Sequence, residues 1–327
     1  MRTSSTAPTQ PAPLNGAESP LNGAGLPTVS VVIPSRGRPE FLGRAISSIV
    51  HQSYGGEIEC LVVFDGGECS LPSIDLPPHR TLRGIVNDRS QGAAPARNAG
   101  ALATRSELLA FLDDDDEWLR DKLARQVEAL ANGGDVSAVC SGIDVVYGDR
   151  TVSRVLDKER IDHRDLLLSR LAELHTSTIV VKREDFLGRI GPFDESTPGS
   201  YGEDYDWLLR AANTAPVATV PSPLARIYWH GSSFFEGRWG TMTDGLHYLV
   251  DKHPAFHSEP KGLARIYGQL AFAYAASARR AESRHWARKT LSLDWRQPRA
   301  YLALLVGARL LRPKALLRVL HRFGRGI

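Results

Sequence analysis

The chain has 327 residues, of which 42% are hydrophobic and 24% charged, and its formal net charge is only +3. These proportions are typical of a soluble globular protein, and no stretch approaches the roughly 18 consecutive apolar residues of a membrane span. The three cysteines are too scattered for a disulfide framework or a cysteine metal site, which favours a reducing, cytoplasmic compartment.

The first ordered element is expected only after a long N-terminal segment. Residues 1–27 are rich in Ser, Thr, Ala, Pro, Gly and Asn and show no apolar segment of a secretory signal, so we expect them to be disordered. The β-branched run 29–33 predicts a buried strand. Helical spacing of apolar residues predicts a helix over 40–51, and a second apolar run predicts a strand over 58–64.

The next elements continue the same alternation of strands and helices. A strand is predicted over 81–86, a helix from Pro95 to about residue 104, a strand over 108–112 and a helix over 118–130. Two further strands are predicted over 136–140 and 144–147. Strands that alternate with helices indicate an α/β domain whose central sheet is mostly parallel and flanked by helices.

Polar side chains follow three of the predicted strands. Ser35 and Arg36 come after the first strand, Asp65 after the second, and the residues 113–115 after the fourth. Ligands of open parallel sheets bind outside the carboxyl ends of the strands. The sequence therefore predicts a binding site at this edge of the sheet.

The run 113–117 consists of four aspartates and a glutamate. Like charges a few ångströms apart repel one another, and a divalent cation such as magnesium or manganese would relieve that repulsion. The alternative is a solvated acidic loop at the N-terminus of a helix. We assign Asp116 and Glu117 to the start of a helix that begins at Trp118, which leaves Asp113 and Asp115 for the ligand roles.

The second half of the chain is less regular. The pattern predicts a helix over 166–171, a strand over 178–181, a helix over 202–212, and strands over 217–220 and 225–228. From about Gly262 the composition becomes rich in Ala, Leu and Arg, and a helical region is expected.

The C-terminal region is strongly basic. From Arg279 onward there are 13 Lys and Arg residues against two acids, so the rest of the chain is net acidic. Leucines alternate with basic residues over 304–322, which is typical of an interfacial amphipathic helix. Three interpretations stay open: a solvated helix surface, contact with anionic lipid, or binding of a partner protein. Nucleic acid is disfavoured because the chain carries no nucleic-acid motif.

Five segments, taken together, resemble glycosyltransferase family 2, whose members have the GT-A fold. They match in order and at the usual separations: 31–38 (VVIPSRGR), 63–67 (VFDGG), 95–100 (PARNAG), 111–118 (FLDDDDEW) and 202–210 (GEDYDWLLR). The resemblance implies a Rossmann-like GT-A domain over 28–250, between the disordered segment 1–27 and a basic helical region over 251–327.

The resemblance also implies roles for individual residues. Asp204 would be the catalytic base, and a divalent metal (manganese or magnesium) would be held by Asp115, with a looser match at His230. Asp113 would lie near the ribose. The donor-binding residues would be Pro34, Ser35, Arg36, Asp65, Arg97, Asn98, Asp113 and Asp114. The carboxylates of Glu203 and Asp206 flank Asp204 in sequence, which leads us to expect a raised pKa for this base.

The implied activity is metal-dependent, inverting transfer of a sugar from a nucleotide-sugar donor, a uridine diphosphate sugar by preference. The acceptor would be a glycan or a lipid-linked glycan of polysaccharide or cell-envelope biosynthesis, and the location cytoplasmic, with possible peripheral membrane contact. One alternative is a non-catalytic nucleotide-sugar binding or scaffold protein on the same fold. A dinucleotide oxidoreductase is disfavoured, because no Gly-x-Gly-x-x-Gly pattern follows the first strand. Trp239 could stack on an acceptor sugar, although core packing is favoured.

Overall fold

A computed structural model gives the fold of residues 25–229 and 237–321. The predicted disordered segment lies outside these residues up to position 24, and the predicted metal ligand His230 also lies outside them. At the start of the described chain, Leu26 packs against the core beneath the first strands, and the carbonyl of Pro27 accepts a hydrogen bond from the hydroxyl of Tyr54.

The described residues contain one sheet of ten strands. The strands are β1 (Val29–Ser35), β2 (Ile58–Phe64), β3 (Arg80–Val86), β4 (Leu108–Phe111), β5 (Glu117–Trp118), β6 (Ala138–Tyr147), β7 (Arg150–Arg154), β8 (Arg160–Ile161), β9 (Val180–Lys182) and β10 (Val217–Tyr228). The order of neighbouring strands in the sheet is β3-β2-β1-β4-β9-β6-β10-β5, while β7 pairs with β6 and β8 pairs with β10.

Pairing is parallel throughout the half of the sheet formed by β3, β2, β1 and β4. Beyond β4 the sheet is mixed: β9 is antiparallel to both β4 and β6, whereas β6 and β10 are parallel. The α/β class and the central sheet predicted from the sequence are confirmed. The carboxyl ends of β1, β2 and β4 lie side by side, as the parallel arrangement requires.

Helices cover both faces of this sheet. The helices are α1 (Pro39–Val50), α2 (Ala93–Ala103), α3 (Lys122–Asn132), α4 (His163–Leu168), α5 (Arg183–Leu187), α6 (Glu203–Thr214), α7 (Trp239–Lys252), α8 (Pro260–Ala276), α9 (Arg280–Leu293), α10 (Pro298–Gly307) and α11 (Pro313–His321). Alternate residues of β1 contribute to the apolar cores on opposite faces of the sheet. Val31 and Ile33 pack in the core that contains α1 and α3, and Val32 packs in the core that contains α2 and α6.

Close packing of α2 against the sheet depends on a glycine. A Cβ atom at Gly100 would lie 2.3 Å from Cγ1 of Val32 and 3.0 Å from Cγ2 of Val63. Real Cβ atoms do not approach that closely, because the interior is already filled to crystal-like density. The glycine therefore lets α2 lie directly on β1 and β2, with Arg97 and Asn98 beside the carboxyl ends of the strands.

The predicted helix over 118–130 begins later than expected. Trp118 lies in β5, paired with Ala225 of β10, and α3 starts only at Lys122. The prediction that Asp116 and Glu117 open this helix is therefore wrong. Pairing with β10 was not visible in the sequence because a two-residue strand leaves no periodic pattern.

Two other boundaries also differ from the prediction. The paired runs 136–140 and 144–147 form the single strand β6, and the runs 217–220 and 225–228 form the single strand β10. In β10 the register shifts on either side of Pro223, which lacks the amide hydrogen of a regular ladder.

The helix predicted over 166–171 is α4, and it ends at Leu168. Leu171 adopts a left-handed φ of 47°. The backbone of Arg170 thus lies outside the helix, in the segment between these two residues.

The C-terminal helices form a third apolar cluster. Ala271 and Phe272 of α8 pack against Ala287 of α9 and Ala300 and Ala303 of α10. Small residues at these contacts allow the helices to approach closely. None of the helices in the described ranges is both long and apolar enough for a bilayer crossing.

Candidate active site

The carboxyl ends of β1, β2 and β4 bring the predicted polar residues together. The amide of Asp65, just after β2, donates to the carbonyl of Ser35 over 2.8 Å. The hydroxyl of Ser35 in turn donates to Oδ2 of Asp114 over 2.9 Å. The three strand ends thus form one connected edge, as the sequence predicts.

Asp114 binds the turn that follows β1. Its carboxylate, which is buried, accepts from the backbone amide of Arg36 over 3.3 Å and pairs with Nη2 of Arg38 at 2.8 Å. Burial raises the pKa of Asp114 to about 6, although Arg38 opposes this and Asp115 adds to it. The contacts of Asp114 with Ser35, Arg36 and Arg38 therefore fix the conformation of residues 35–38.

Asp115 contacts the same turn, but its side chain is partly exposed, whereas that of Asp114 is buried. Its carboxylate pairs with Nη1 of Arg38, and its carbonyl accepts from Nη2 of Arg44 over 3.0 Å. The Arg44 guanidinium lies 3.9 Å from the ring centroid of Tyr228, at the end of β10. Two arginines of the first strand–helix unit thus hold the middle of the acidic run.

A single guanidinium links the acidic run to α6. Nη2 of Arg97 lies 2.6 Å from Oδ1 of Asp113, and its Nη1 lies 2.8 Å from Oε1 of Glu203. Burial disfavours the charge on Arg97, but the two carboxylates outweigh this effect and raise its pKa. Burial also opposes ionisation of Asp113, yet Arg97 and His175 hold its pKa below the ordinary value.

Asp116 points into the protein. It is buried, and its two oxygens accept from the hydroxyl of Ser177 at 2.6 Å and the backbone amide of Tyr228 at 3.2 Å. His175 Nδ1 lies 3.6 Å from the same carboxylate. Burial and the neighbouring carboxylates of Asp113 and Asp115 raise the pKa of Asp116 well above its ordinary value.

Carboxylates in this region offer two arrangements for a divalent cation. Asp113, Asp116 and His175 present ligand atoms that lie within 4.8 Å of one another. Burial lowers the pKa of His175, which favours the neutral imidazole that a metal requires. Both oxygens of Asp116 already accept hydrogen bonds, however, whereas Asp113 and Asp115 keep 24% and 22% of their side chains exposed. Exposed carboxylates suit magnesium-like ions, which bind through one or two carboxylates and retain water and phosphate ligands.

Asp204 lies at the start of α6 and carries an unexpected ion pair. Nη2 of Arg170 lies 2.9 Å from Oδ1 and 2.7 Å from Oδ2 of this buried carboxylate. Burial alone would raise the pKa of Asp204, but Arg170 outweighs it and the pKa is lowered. The raised pKa expected for Asp204 is therefore wrong. Burial and the charge of Asp204 instead raise the pKa of Glu203 to about 7, against the opposing effect of Arg97.

Asp206 belongs to a separate charged cluster behind the site. Its carboxylate lies 2.8 Å from Nζ of Lys252, 2.8 Å from Nε2 of His253 and 3.0 Å from a guanidinium nitrogen of Arg210. Burial opposes the ionised form, but these partners lower the pKa of Asp206 to about 2. The cluster joins α6 to the end of α7.

Two predicted donor-binding residues support neighbouring loops. Asp65 accepts from Nδ2 of Asn87 over 2.8 Å and from the amide of Gly92 over 3.0 Å. Asn98 exchanges hydrogen bonds with the backbone of Phe193 at 2.8 and 3.0 Å and donates to Glu195 over 2.8 Å. Both side chains therefore shape the loops that border the site.

The remaining predicted residues are more peripheral. Pro34 is half-buried near the end of β1, and the exposed Arg36 approaches Oε1 of Gln91 at 3.4 Å. Trp239 packs on Phe272 at a centroid distance of 5.9 Å, in agreement with the preferred core role.

Sequence reasoning missed four residues that the structure brings into the site: Arg38, Arg170, His175 and Ser177. Arg38 was visible within the first motif, but a charge in a turn is usually a surface feature. Arg170 falls within the helix predicted over 166–171, where a charged residue reads as a surface position. His175 and Ser177 lie between predicted elements, and the antiparallel pairing of β9 with β4 carries that stretch to the strand ends.

Comparisons with known proteins identify sequence and fold relatives of the chain. The sequence profile described as "Glycosyl transferase family 2" matches residues 30–186. The chain is similar to the Escherichia coli UDP-Glc:alpha-D-GlcNAc-diphosphoundecaprenol beta-1,3-glucosyltransferase WfgD, with 26% identity over 183 residues, 55% of this chain and 68% of that protein. It is also similar to the succinoglycan biosynthesis protein ExoO of Rhizobium meliloti, with 30% identity over 217 residues, 62% of this chain and 61% of that protein.

Among solved structures, the fold is similar to that of the mannosyltransferase PcManGT from Pyrobaculum calidifontis in complex with GDP-Man and Mn2+. The TM-score is 0.53, the identity 18%, and the match covers 87% of this chain and 85% of that chain. The GT-A fold expected from the sequence is thereby confirmed. The match to ExoO spans less than two thirds of that relative's length.

Proposed function

The chain belongs to glycosyl transferase family 2, and we propose that it transfers a sugar from a nucleotide-sugar donor to a hydroxyl group of a glycan or lipid-linked acceptor. One observation carries the proposal: the acidic run after β4 and the Glu203-Asp204 pair of α6 face one another through Arg97. A diphosphate bound at the acidic run and a base at Asp204 would then be adjacent, as sugar transfer requires.

The donor would lie along the carboxyl ends of β1, β2 and β4. Ser35, Asp65 and Asp113 border that edge, and we assign them to the nucleotide, together with Pro34, Arg36, Arg97, Asn98 and Asp114. A uridine diphosphate sugar is our preferred donor. WfgD is named for UDP-Glc, whereas PcManGT was solved with GDP-Man.

Asp115 is our proposed metal ligand, with Asp113 beside it. A bound magnesium or manganese ion would supply charge neutralisation for the departing nucleoside diphosphate. The exposed guanidinium of Arg38 already holds the Asp115 carboxylate, so this position accommodates positive charge. His230 is retained as a second proposed ligand.

Asp204 is our proposed base. It would accept the proton of the acceptor hydroxyl as that oxygen attacks the anomeric carbon. Arg170 keeps Asp204 ionised at neutral pH, because it lowers the pKa of this carboxyl group. A single base and direct displacement give inversion at the anomeric carbon, whereas retaining hydrolases use a second carboxylate as nucleophile.

The decisive experiment measures nucleoside diphosphate release from a panel of nucleotide sugars with and without manganese. We expect wild type to release product in the presence of metal. Asp204→Asn should lower the rate at least 100-fold, in line with the roughly 10²–10⁴-fold contribution of a general base, while nucleotide binding persists. Asp149→Asn, which alters an exposed turn, is the matched control.

The competing function is non-catalytic binding of a nucleotide sugar. Equal product release by wild type and Asp204→Asn, with nucleotide bound by both, would establish that function instead. We also propose a cytoplasmic location with peripheral membrane contact through the C-terminal helices.

A further inference from the structure

The surface around α10 carries exposed apolar side chains. Tyr301, Leu304 and Leu305 lie at helical spacing on one side of α10, and all three are exposed. The opposite side of the helix, with Ala300 and Ala303, is fully buried in the C-terminal cluster. This helix is therefore not amphipathic, because its exposed face carries apolar residues as its buried face does.

The segments that flank α10 carry further exposed apolar side chains. Trp295 is 67% exposed before the helix, and Leu310 is 71% exposed after it, next to the exposed Leu311. The left-handed φ of 64° at Arg309 turns the chain out of the helix immediately before the two leucines. Monomeric proteins seldom expose a large contiguous apolar patch unless it is an interaction site.

Basic residues lie among these apolar side chains, and the sequence from Trp295 to Lys314 contains no acidic residue. After Asp294 the chain contains eight Lys and Arg residues and no Asp or Glu. Arg296 lies over the ring of Trp295, with its Cζ atom 5.1 Å from the ring centroid, and Arg309, Arg312 and Lys314 are exposed around the two leucines. We call the residues 295–314 the basic apolar surface.

We propose that the basic apolar surface binds the headgroup region of an anionic lipid bilayer, with Trp295, Leu310 and Leu311 inserted and the basic residues on the phosphates. The inference rests on the membrane contact proposed above and is independent of the chemistry at Asp204. Tryptophan, tyrosine and leucine beside Lys and Arg are the composition of interfacial segments. Charge decides against a second copy of the chain as the occupant, since two surfaces of net positive charge repel.

Sedimentation of the full chain with vesicles tests this proposal. We expect binding to phosphatidylcholine vesicles that contain phosphatidylglycerol to be at least tenfold tighter than to phosphatidylcholine alone, and to weaken with salt. Each basic residue near an anionic surface contributes about fivefold to affinity. Removal of three charges in Arg309→Gln, Arg312→Gln, Lys314→Gln should therefore weaken binding more than tenfold.

A second variant tests the insertion of apolar side chains. Leu310→Ser combined with Leu311→Ser should also weaken vesicle binding at least tenfold. The matched controls change exposed residues elsewhere: Arg105→Gln, Arg150→Gln and Lys261→Gln for charge, and Leu76→Ser and Leu102→Ser for apolarity. Both controls should bind as wild type does.

Several results would overturn the inference. It fails if wild type does not distinguish anionic from neutral vesicles, or if the leucine variant binds as its control does. It also fails if the leucine variant converts a dimer into a monomer with vesicle binding unchanged, since the occupant is then a second copy. Nucleoside diphosphate release from the same preparations separates the two proposals, because loss of vesicle binding with intact release removes only the membrane surface.

Discussion

Arg170 donates to both carboxylate oxygens of Asp204, at 2.9 and 2.7 Å. This ion pair has two opposing effects on a base. It keeps the carboxylate ionised at neutral pH, and it lowers the affinity of that carboxylate for the proton that it must accept. The pair therefore predicts how the pH dependence of the reaction responds to substitution.

Removal of the Arg170 charge should shift the acidic limb of the activity profile. Arg170 lowers the pKa of Asp204, so Arg170→Gln raises that pKa and activity is lost at a higher pH than in wild type. We expect an upward shift of about one pH unit, the scale of a nearby opposite charge. Arg170→Lys, which retains the charge, should shift less. An acidic limb that stays in place in the glutamine variant would show that Asp204 is not the titrating base.

Two variants distinguish the possible metal arrangements. Asp115→Ala should abolish manganese-dependent nucleotide binding, whereas His175→Ala should change it less than twofold, because Asp116 beside His175 is already satisfied by Ser177 and Tyr228. Titration with Mn2+, followed by electron paramagnetic resonance in the presence of nucleotide, gives the Mn2+ affinity of each variant. The opposite pattern would identify Asp113, Asp116 and His175 as the metal site.

The charged cluster at Asp206 should contribute to stability in a pH-dependent way. Asp206→Asn removes the carboxylate partner of Arg210 and His253, while Lys252 keeps its ion pair with Asp194, and loss of one partner from a buried ion pair costs about 3 kcal/mol. The pKa of Asp206 is lowered from 3.8 to about 2, so its contribution is fully present above pH 3.8 and is lost as the pH falls through about 2. Urea unfolding should therefore show a gap between wild type and variant at pH 7 that narrows below pH 3.8. A gap independent of pH would contradict this assignment.

Two glycine-to-alanine substitutions should have opposite signs. At Gly100 the new Cβ would lie 2.3 Å from Val32, and such overpacking costs about 1–3 kcal/mol. At Gly43, inside α1, the new Cβ meets no atom within 4 Å, and alanine is favoured over glycine in a helix by about 0.5–1 kcal/mol. Thermal unfolding of the two variants checks both signs. A stabilising Gly100→Ala would show that α2 can move away from β1.

The sequence predicts the first half of the fold well because its patterns are local. The buried strands β1, β2 and β4 and the helix α1 have uninterrupted apolar patterns, and their parallel order follows from the alternation. Elements that form by pairing with strands distant in the sequence were not predicted, or were predicted with other bounds. β5 exists only because Trp118 and Glu117 pair with β10, about a hundred residues later in the chain.

The candidate site was predicted in a similarly uneven way. The motifs identify the carboxylates, but not the cations that hold them, because Arg38, Arg97 and Arg170 reach their partners only through the tertiary fold. The pKa of Asp204 shows the consequence. Neighbours in sequence suggested a rise, whereas Arg170, 34 positions away along the chain, lowers it.

The acidic run is attached to the sheet at both ends. Leu112 donates to Val32 at one end, and Trp118 pairs with Ala225 at the other. Four aspartates and Glu117 lie between these anchors, and one backbone turn bond, from the amide of Asp116 to the carbonyl of Asp113, spans part of the run. An inserted or deleted residue would move every later carboxylate to a new direction while both anchors stayed fixed. The fold therefore constrains the length of this run more strictly than its charge, and the folded structure should tolerate a substitution within the run more readily than a change in residue number.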